Sequence, residues 1–278
     1  MQETNILEVR GLQVGLKTGE PADLLRSINL TLGRGQVLGI VGESGSGKSL
    51  TCRAILGLLN TRSMRVSGSV QLNGQELMLL PEKNLRKIRG KEIGSIMQNP
   101  MNAFTPVHTI GSQFVETLRT HSQLSKGQAW QQAVHSLESV NLMEPDKILK
   151  RYPHQLSGGM LQRVMIAICL CLRPGLVIAD EPTTALDAVN QLQVLRELER
   201  LKMECGTSIL IVSHDLGVIA QMADEVAVMR KGEIVEHAGV HELFDAPRHA
   251  YTRMLLEARP RLGKEAKNAE GSKRQLSL

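Results

Sequence analysis

The sequence lacks a hydrophobic stretch long enough to cross a membrane. Its longest uninterrupted apolar run, Val164–Leu172, has nine residues, whereas a transmembrane helix needs about 20. The first residues also lack the basic-then-apolar pattern of a secretory signal. We therefore expect a cytosolic protein that reaches a membrane only through a partner.

The sequence also has few cysteines, and their spacing argues against a common class of metal site. The four cysteines include no Cys-x-x-Cys pair, and the eight histidines are scattered without ligand spacing. Cys52, Cys169 and Cys171 fall in apolar helical patterns, where cysteine packs as a small hydrophobic residue. We therefore expect reduced thiols and no zinc or iron–sulfur centre.

The net charge of +5 is concentrated at the end of the chain. Residues 258–278 carry six lysines and arginines against two glutamates, so the first 257 residues are nearly neutral. This composition is typical of a flexible, solubilising tail, and attraction to a membrane surface is the alternative. The charge balance does not indicate a nucleic-acid partner.

The most informative motif is a glycine-rich loop at residues 42–49, GESGSGKS, which matches G-x-x-x-x-G-K-[S/T]. It follows a short apolar segment that reads as a strand, and a segment with helical character follows it. Glycines let the backbone approach a phosphate closely, and a helix N-terminus attracts anions. A Gly/Ser turn before a buried helix is the alternative, but this setting predicts a nucleoside-triphosphate site. The residues assigned to it are Gly42, Glu43, Ser44, Gly45, Ser46, Gly47, Lys48 and Ser49.

Alternating strand and helix patterns predict an α/β fold with a mostly parallel sheet. Leu176–Ala179 is apolar on both faces, as in a central parallel strand. The segment 110–149 has a helical pattern and separates the first strands from the later ones. We expect a P-loop NTPase core at 1–257, with an antiparallel β subdomain and a helical subdomain inserted at about 99–160.

Two acidic residues follow the predicted central strand. Asp180 and Glu181 stand at its carboxyl end, where open α/β sheets bind ligands. We assign Asp180 to the Mg²⁺ shell through water and Glu181 as the general base for water. Lys48 would reach the β- and γ-phosphates, and Ser49 would hold Mg²⁺. A solvated turn is the alternative for the two carboxylates.

Gln98 and His214 also end predicted strands. His214 could bond the γ-phosphate and hold the water in register with Glu181. The Gln98 side-chain oxygen suits Mg²⁺. The alternatives are a surface histidine in a helix-capping cluster and an ordinary loop glutamine.

A second small-residue turn, LSGGM at residues 156–160, opens another predicted helix. Its amides, the helix N-terminus and the Ser157 hydroxyl could meet an anion. An ordinary N-cap at Ser157 is the alternative. The residues alone leave open which phosphate such a turn would meet.

The order of these motifs resembles the ATP-binding subunit of an ABC transporter, from about residue 6 to residue 257. The resemblance implies ATP and Mg²⁺ as cofactors and two such subunits facing each other head to tail. Residues of the second turn would complete the partner's ATP site, and Gln98 with the loop after it would contact membrane subunits. The residues assigned to the dimer interface are Ser157, Gly158, Gly159 and Asp187.

Within this family the sequence resembles the nickel/peptide importer group. The matching segments are QNPMNAFTPVHTIG, GGMLQR, ADEPTTALD and APRHAYTRMLLEA. The resemblance implies a sister ATPase subunit, two transmembrane permease subunits and, indirectly, an extracytoplasmic substrate-binding protein. It places the chain peripherally at the cytoplasmic face of the inner membrane. The segment GGMLQR favours nickel as cargo, with di/oligopeptides or metal chelates as the alternative.

Two other classes of protein are alternatives to a transporter ATPase, and the sequence lacks the features typical of either. A soluble ABC ATPase that acts on DNA or in translation usually has a coiled-coil insertion or two cassettes, and this sequence shows neither. A non-hydrolytic regulatory cassette would lack part of the hydrolytic set. That set is complete here, and it consists of Lys48, Asp180, Glu181 and His214.

The sequence departs from the family pattern at two places. Met160 ends the second small-residue turn at a position where family members usually have glutamine, and no aromatic residue precedes Phe104. Family members commonly stack the adenine on an aromatic residue near the N-terminus. Without it, an aliphatic contact from Leu16 or a neighbour forgoes about 1–3 kcal/mol of stacking. We therefore expect weak binding of the base and poor discrimination between ATP and GTP.

Overall fold

The computed structural model describes residues 5–17, 23–184 and 186–258, and two β-sheets form its framework. The strands are β1 (Asn5–Leu16), β2 (Asp23–Gly33), β3 (Val37–Val41), β4 (Met64–Leu72), β5 (Gln75–Glu76), β6 (Ile93–Ile96), β7 (Leu176–Asp180), β8 (Ser208–Val212), β9 (Glu225–Arg230) and β10 (Glu233–Gly239).

The six-stranded sheet has the order β10-β9-β3-β8-β7-β6. All of its pairs are parallel except the hairpin of β9 and the edge strand β10. Every residue of β3 and β8 is buried, as are the first four of β7. Strands covered on both faces must be apolar on both faces, so the continuous apolar runs place these strands at the centre of the sheet.

The four-stranded sheet is antiparallel and has the order β2-β1-β4-β5. Its strands alternate between buried and exposed residues, as expected when one face meets the core and the other meets water. The buried side chains of β1, β2 and β4 share one apolar cluster with Leu38, Ile178 and Leu210 of the parallel sheet. The two sheets are therefore held together by one core.

The helices cover the parallel sheet and form a block between β6 and β7. They are α1 (Lys48–Ile55), α2 (Glu82–Ile88), α3 (Ile110–His121), α4 (Lys126–Ser139), α5 (Pro145–Lys150), α6 (Gly158–Leu172), α7 (Ala188–Cys205), α8 (Leu216–Met222), α9 (Val240–Asp245) and α10 (Ala250–Glu257). None of the helices in the described ranges is long and apolar enough to cross a membrane.

The helical pattern at 110–149 resolves into α3, α4 and α5, which share a second apolar core with α6 and α7. Side-chain caps define where α3 and α4 begin: Thr109 accepts from Ser112, and Ser125 forms a reciprocal capping box with Gln128. The proposed boundaries at 99–160 and 257 stay predictions. Of the predicted tail, 258–278, only Ala258 belongs to the described residues.

One boundary differs from the pattern in the sequence. The helical character after the glycine-rich loop predicts a helix to residue 59, but α1 ends at Ile55. Gly57 adopts a left-handed conformation with φ 64°, and the Leu56 carbonyl accepts a hydrogen bond from the Arg89 side chain. The left-handed glycine ends the helix, although the apolar residues continue beyond it.

Burial of the cysteines predicts their order of reaction. Burial raises the pKa of the Cys169 thiol to about 12 and that of Cys171 to about 11, and it raises the pKa of Cys52 as well. Thiolates are the reactive form. We expect a maleimide at pH 7.5 to label the folded protein rapidly only at the partly exposed Cys205, as measured by peptide mass mapping. Cys205→Ser should abolish this fast labelling, and rapid labelling of Cys169 would contradict the buried packing.

Candidate nucleotide-binding site

The glycine-rich loop turns between β3 and the first residue of α1. Gly47 caps the helix with φ 113°, a conformation that L side chains rarely adopt, and a Cβ there would lie 2.7 Å from Leu25. Gly42 is packed even more tightly, since its Cβ would lie 2.1 Å from the Met229 carbonyl oxygen. The side chain of Glu43 is exposed, so this residue contributes to the loop through its backbone.

Lys48 is buried within this loop. Its Nζ donates to the carbonyl oxygens of Gly42 at 2.7 Å and Glu43 at 3.0 Å. Burial lowers the pKa of Lys48, while the nearby carboxylates of Glu181 and Asp180 act in the opposite direction. The ammonium group is therefore held at the loop and close to two acidic side chains.

Ser49 and Asp180 connect α1 to the end of β7. The Ser49 hydroxyl donates to Asp180 Oδ1 at 2.8 Å. Burial raises the pKa of Asp180, and the hydrogen bond from Ser49 opposes this change. A hydroxyl and a carboxylate are hard oxygen ligands of the kind that Mg²⁺ prefers, so the donor set fits this ion.

A cavity of about 400 Å³ places several of these residues around one space. Its wall includes the loop backbone, Lys48 and Ser49, with Gln98 after β6 and Glu181 after β7. Gln98 adds an amide group to the same cavity wall as Ser49. The ends of separate strands therefore supply the polar wall of this cavity.

Glu181 leaves β7 in a left-handed conformation, with φ 52°. Its backbone N–H donates to the Val212 carbonyl at 2.9 Å, and its side chain is buried. His214 Nδ1 lies 2.7 Å from Glu181 Oε2. The sharp turn allows adjacent residues of a strand, which normally point to opposite faces, to approach the same loop.

Thr184 is a further contact of Glu181 that the sequence patterns do not single out. Its hydroxyl donates to Glu181 Oε2 at 2.7 Å. The same carboxylate oxygen is therefore shared by Thr184 and His214. A hydroxyl residue three positions after an acidic residue is too common a pattern to identify such a contact.

The second small-residue turn lies elsewhere on the surface. Ser157 caps α6, because its hydroxyl accepts from the Met160 N–H at 3.3 Å. A Cβ at Gly158 would meet no other atom within 4 Å. Gly159 packs near Leu186, and Asp187 caps α7 through the Asn190 N–H at 3.0 Å.

The hydrogen bond from the Asn190 N–H to the Asp187 carboxylate lowers the pKa of Asp187. The four residues assigned to the dimer interface, all of them described, are absent from the wall of the 400 Å³ cavity. The chain thus places the second turn, with its helix N-terminus, apart from the glycine-rich loop.

A matched pair of glycine variants tests the packing of the loop. Gly42→Ala places a methyl group against the Met229 carbonyl oxygen, whereas a Cβ at Gly45, also at positive φ, meets nothing within 4 Å. Both variants carry conformational strain, and only the first must displace backbone. We expect Gly42→Ala to melt at least about 5 °C below Gly45→Ala without nucleotide, by differential scanning calorimetry. Equal melting temperatures would contradict this packing.

Two family models match this sequence. The ABC transporter model matches residues 25–184, more than half of the chain. The model of the oligopeptide/dipeptide transporter, C-terminal region, matches residues 235–277. The two matches together include the glycine-rich loop, Asp180 and the C-terminal helix α10.

Similar proteins include several ATP-binding proteins of peptide transport. The oligopeptide transport ATP-binding protein OppD of Salmonella typhimurium is 45% identical, over 94% of this chain and 78% of that protein. OppD of Bacillus subtilis is 45% identical, over 93% and 73%. The glutathione import ATP-binding protein GsiA of Salmonella choleraesuis is 42% identical, over 95% of this chain and 43% of that protein. These relatives do not support the expectation of nickel as cargo and favour the peptide alternative.

Solved cassettes have the same fold. The dimeric cassette MJ0796, in a post-hydrolysis state bound to ADP and Pi, aligns with a TM-score of 0.75 and 28% identity, over 84% of this chain and 98% of that one. CbiO1 of Clostridium perfringens, part of an ABC transporter complex, aligns with a TM-score of 0.72 and 25% identity, over 95% and 100%. The expected α/β architecture is confirmed.

The family uses ATP with Mg²⁺, in agreement with the cofactors that the resemblance implies. ATP-binding subunits of importers work with transmembrane permease subunits. The sequence matches, the fold and the converging phosphate-site residues lead to one conclusion: this chain belongs to the ABC transporter family as the ATP-binding subunit of an importer.

Proposed function

We propose that this chain hydrolyses ATP to power the import of peptides. The observation that carries the cargo class is the match of residues 235–277 to the C-terminal region of oligopeptide/dipeptide transporters. The names of the OppD relatives support the same class. Nickel has no comparable support, because that expectation rests on the short segment GGMLQR at residues 158–163.

The residues around the loop have separate roles in this proposal. The loop amides and Lys48 bind the phosphates, and Ser49, Asp180 and Gln98 would hold Mg²⁺. Bound Mg²⁺ neutralises charge on the phosphate oxygens. The Ser49 hydroxyl donates to Asp180 Oδ1 at 2.8 Å, so these two side chains lie side by side where they would hold the ion.

Glu181 acts as the general base that orients the attacking water. His214 and Thr184 both contact its Oε2 atom, so they fix the direction of the carboxylate. His214 also bonds the γ-phosphate in this proposal. Positioning and charge stabilisation account for most of the catalysis of phosphoryl transfer.

A second ATPase subunit completes each site. Ser157, Gly158 and Gly159 would face the partner's triphosphate, and Asp187 would connect the two sites across the interface. Ser157 and Gly158 are exposed and do not line the loop cavity, which supports a role in contacting a second subunit. ATP closes the pair, and hydrolysis reopens it. We propose a sister subunit as the partner, in a heterodimer.

The membrane side of the transporter consists of two permease subunits. An extracytoplasmic substrate-binding protein delivers the peptide to them and is therefore only an indirect partner of this chain. The ATPase pair sits at the cytoplasmic face of the inner membrane, peripheral to the permeases. Gln98 and the loop after it contact the permeases. The peptide itself touches other subunits.

Replacing the proposed base tests hydrolysis directly. Glu181→Gln keeps the size of the side chain but removes the carboxylate, so we expect kcat to fall by at least about 100-fold while ATP still binds. Phosphate release by the assembled transporter and nucleotide titration measure the two effects. The matched control is Glu199→Gln, because Glu199 is exposed on α7. This variant should hydrolyse ATP at the wild-type rate. Unchanged turnover in Glu181→Gln would reject Glu181 as the base.

The absence of an N-terminal aromatic residue leads to a prediction about nucleotide choice. Without a stacked base, the binding energy comes mainly from the triphosphate, which ATP and GTP share. We expect dissociation constants for ATP and GTP within about threefold of each other, measured by equilibrium titration. A strong preference for ATP would show that another residue recognises adenine.

Uptake experiments test the cargo. Cells with the gene intact should accumulate a radiolabelled oligopeptide, and deletion of the gene should abolish that uptake while uptake of radioactive nickel stays unchanged. Loss of nickel uptake with normal peptide uptake would reject the peptide assignment.

A further inference from the structure

The C-terminal helix α10 reaches the phosphate loop through one side chain. Tyr251 is 3% exposed, and its hydroxyl oxygen accepts a hydrogen bond from the Glu43 N–H at 3.1 Å. These two residues are 208 positions apart in the sequence. Tyr251 has no role in the binding and hydrolysis assigned above.

The position of the Tyr251 ring is determined by several contacts. The guanidinium carbon of Arg230, the last residue of β9, lies 4.7 Å from the ring centroid, within the range of a cation–π interaction. His249 caps α10 by accepting from the Tyr251 N–H at 3.1 Å. Glu236 of β10 accepts from the N–H groups of Arg248 at 2.7 Å and His249 at 3.0 Å. The start of α10 is therefore anchored to the β9–β10 hairpin.

The same hairpin holds the other half of the loop. The Gly232 N–H, at the turn between β9 and β10, donates to the Ser46 carbonyl at 2.8 Å. Gly42 packs against the Met229 carbonyl so closely that no Cβ could fit. Residues 229–251 therefore contact the loop at three points along its length.

The contact of Tyr251 involves a single peptide group. The carbonyl of Gly42 and the N–H of Glu43 belong to one planar unit. Lys48 Nζ donates to that carbonyl at 2.7 Å, and Tyr251 accepts from that N–H at 3.1 Å. Rotation of this peptide would break both hydrogen bonds, so the tyrosine hydroxyl and the lysine ammonium hold the same group from opposite ends.

We propose that Tyr251 is a positioning residue that holds the phosphate loop, and with it Lys48, in the conformation that binds ATP. This inference rests on the proposed function, in which residues 42–49 bind the phosphates. Through Tyr251 the C-terminal segment, with its match to oligopeptide/dipeptide transporters, sets the affinity for nucleotide.

The proposal predicts a particular kinetic signature. The loop binds phosphates that are present in the substrate, the transition state and ADP. An interaction made equally in ground and transition states affects KM and leaves kcat unchanged. Loss of Tyr251 hydroxyl should therefore weaken ATP and ADP binding by the same factor, without slowing the turnover of bound ATP.

Tyr251→Phe removes the hydroxyl and keeps the ring under Arg230. We expect KM for ATP and the dissociation constant for ADP to rise by about three- to tenfold, the range for one lost neutral hydrogen bond. We also expect kcat to stay within about twofold of the wild type. The measurements use the full chain, in the assembled transporter for kinetics and alone for titration and calorimetry.

The matched control is Tyr152→Phe, because Tyr152 is the only other tyrosine of the chain and is 39% exposed. This variant should bind ADP like the wild type. Equal ADP affinity in the two variants would overturn the proposal, and so would a fall in kcat at unchanged KM. If the wild-type chain itself binds no nucleotide, the proposed function fails, which is a separate outcome.

A second pair of variants decides the question if Tyr251→Phe does not fold. Arg230 is exposed, so its replacement should leave the core intact. Arg230→Leu removes the cation over the ring and should raise the ADP dissociation constant by about two- to fivefold, and Arg230→Lys should restore most of the affinity. Unchanged affinity in Arg230→Leu would overturn the proposal.

Discussion

Parallel alignment of β3, β8 and β7 is the constraint on which the nucleotide site depends. Val212 pairs with Ile40 on one side and with Asp180 on the other, so the three strands end at the same edge of the sheet. The loop after β3 and the residues after β7 and β8 must then meet there. Both faces of these strands are buried, so a shift of register by one residue would disrupt close packing on both faces, and this packing maintains the geometry of the site.

Local strain at the end of β7 completes this arrangement. Glu181 adopts a left-handed conformation that costs about 1–3 kcal/mol in a non-glycine residue. Its N–H bonds to Val212, and its carboxylate is held by Thr184 and His214. These contacts offset the strain, and they bring the Glu181 carboxylate to the same cavity as Lys48. Strain of this kind is common at functional sites, where a side chain must point in a direction that regular structure forbids.

The glycine-rich loop and the second small-residue turn lie apart on this chain. The glycine-rich loop is backed by the β9–β10 hairpin and α10, whereas Ser157 of the second turn is exposed and caps α6 with its side chain. Hydrogen bonds from Gly232 and to Tyr251 make the loop dependent on a segment at the opposite end of the sequence. Nucleotide affinity is therefore a property of the entire fold and not of the loop alone.

Local patterns in the sequence determined the α/β class, the order of the elements and the chemistry of a nucleoside triphosphate with Mg²⁺. Continuous apolar runs identify central strands, and spacing identifies the loop, because both signals lie within a few residues. Tertiary structure decided the left-handed turn at Glu181, the early end of α1 and the contacts of Thr184 and Tyr251. A hydrogen bond between residues 208 positions apart produces no periodicity that a single sequence could reveal, since only packing of the sheets brings the two groups together.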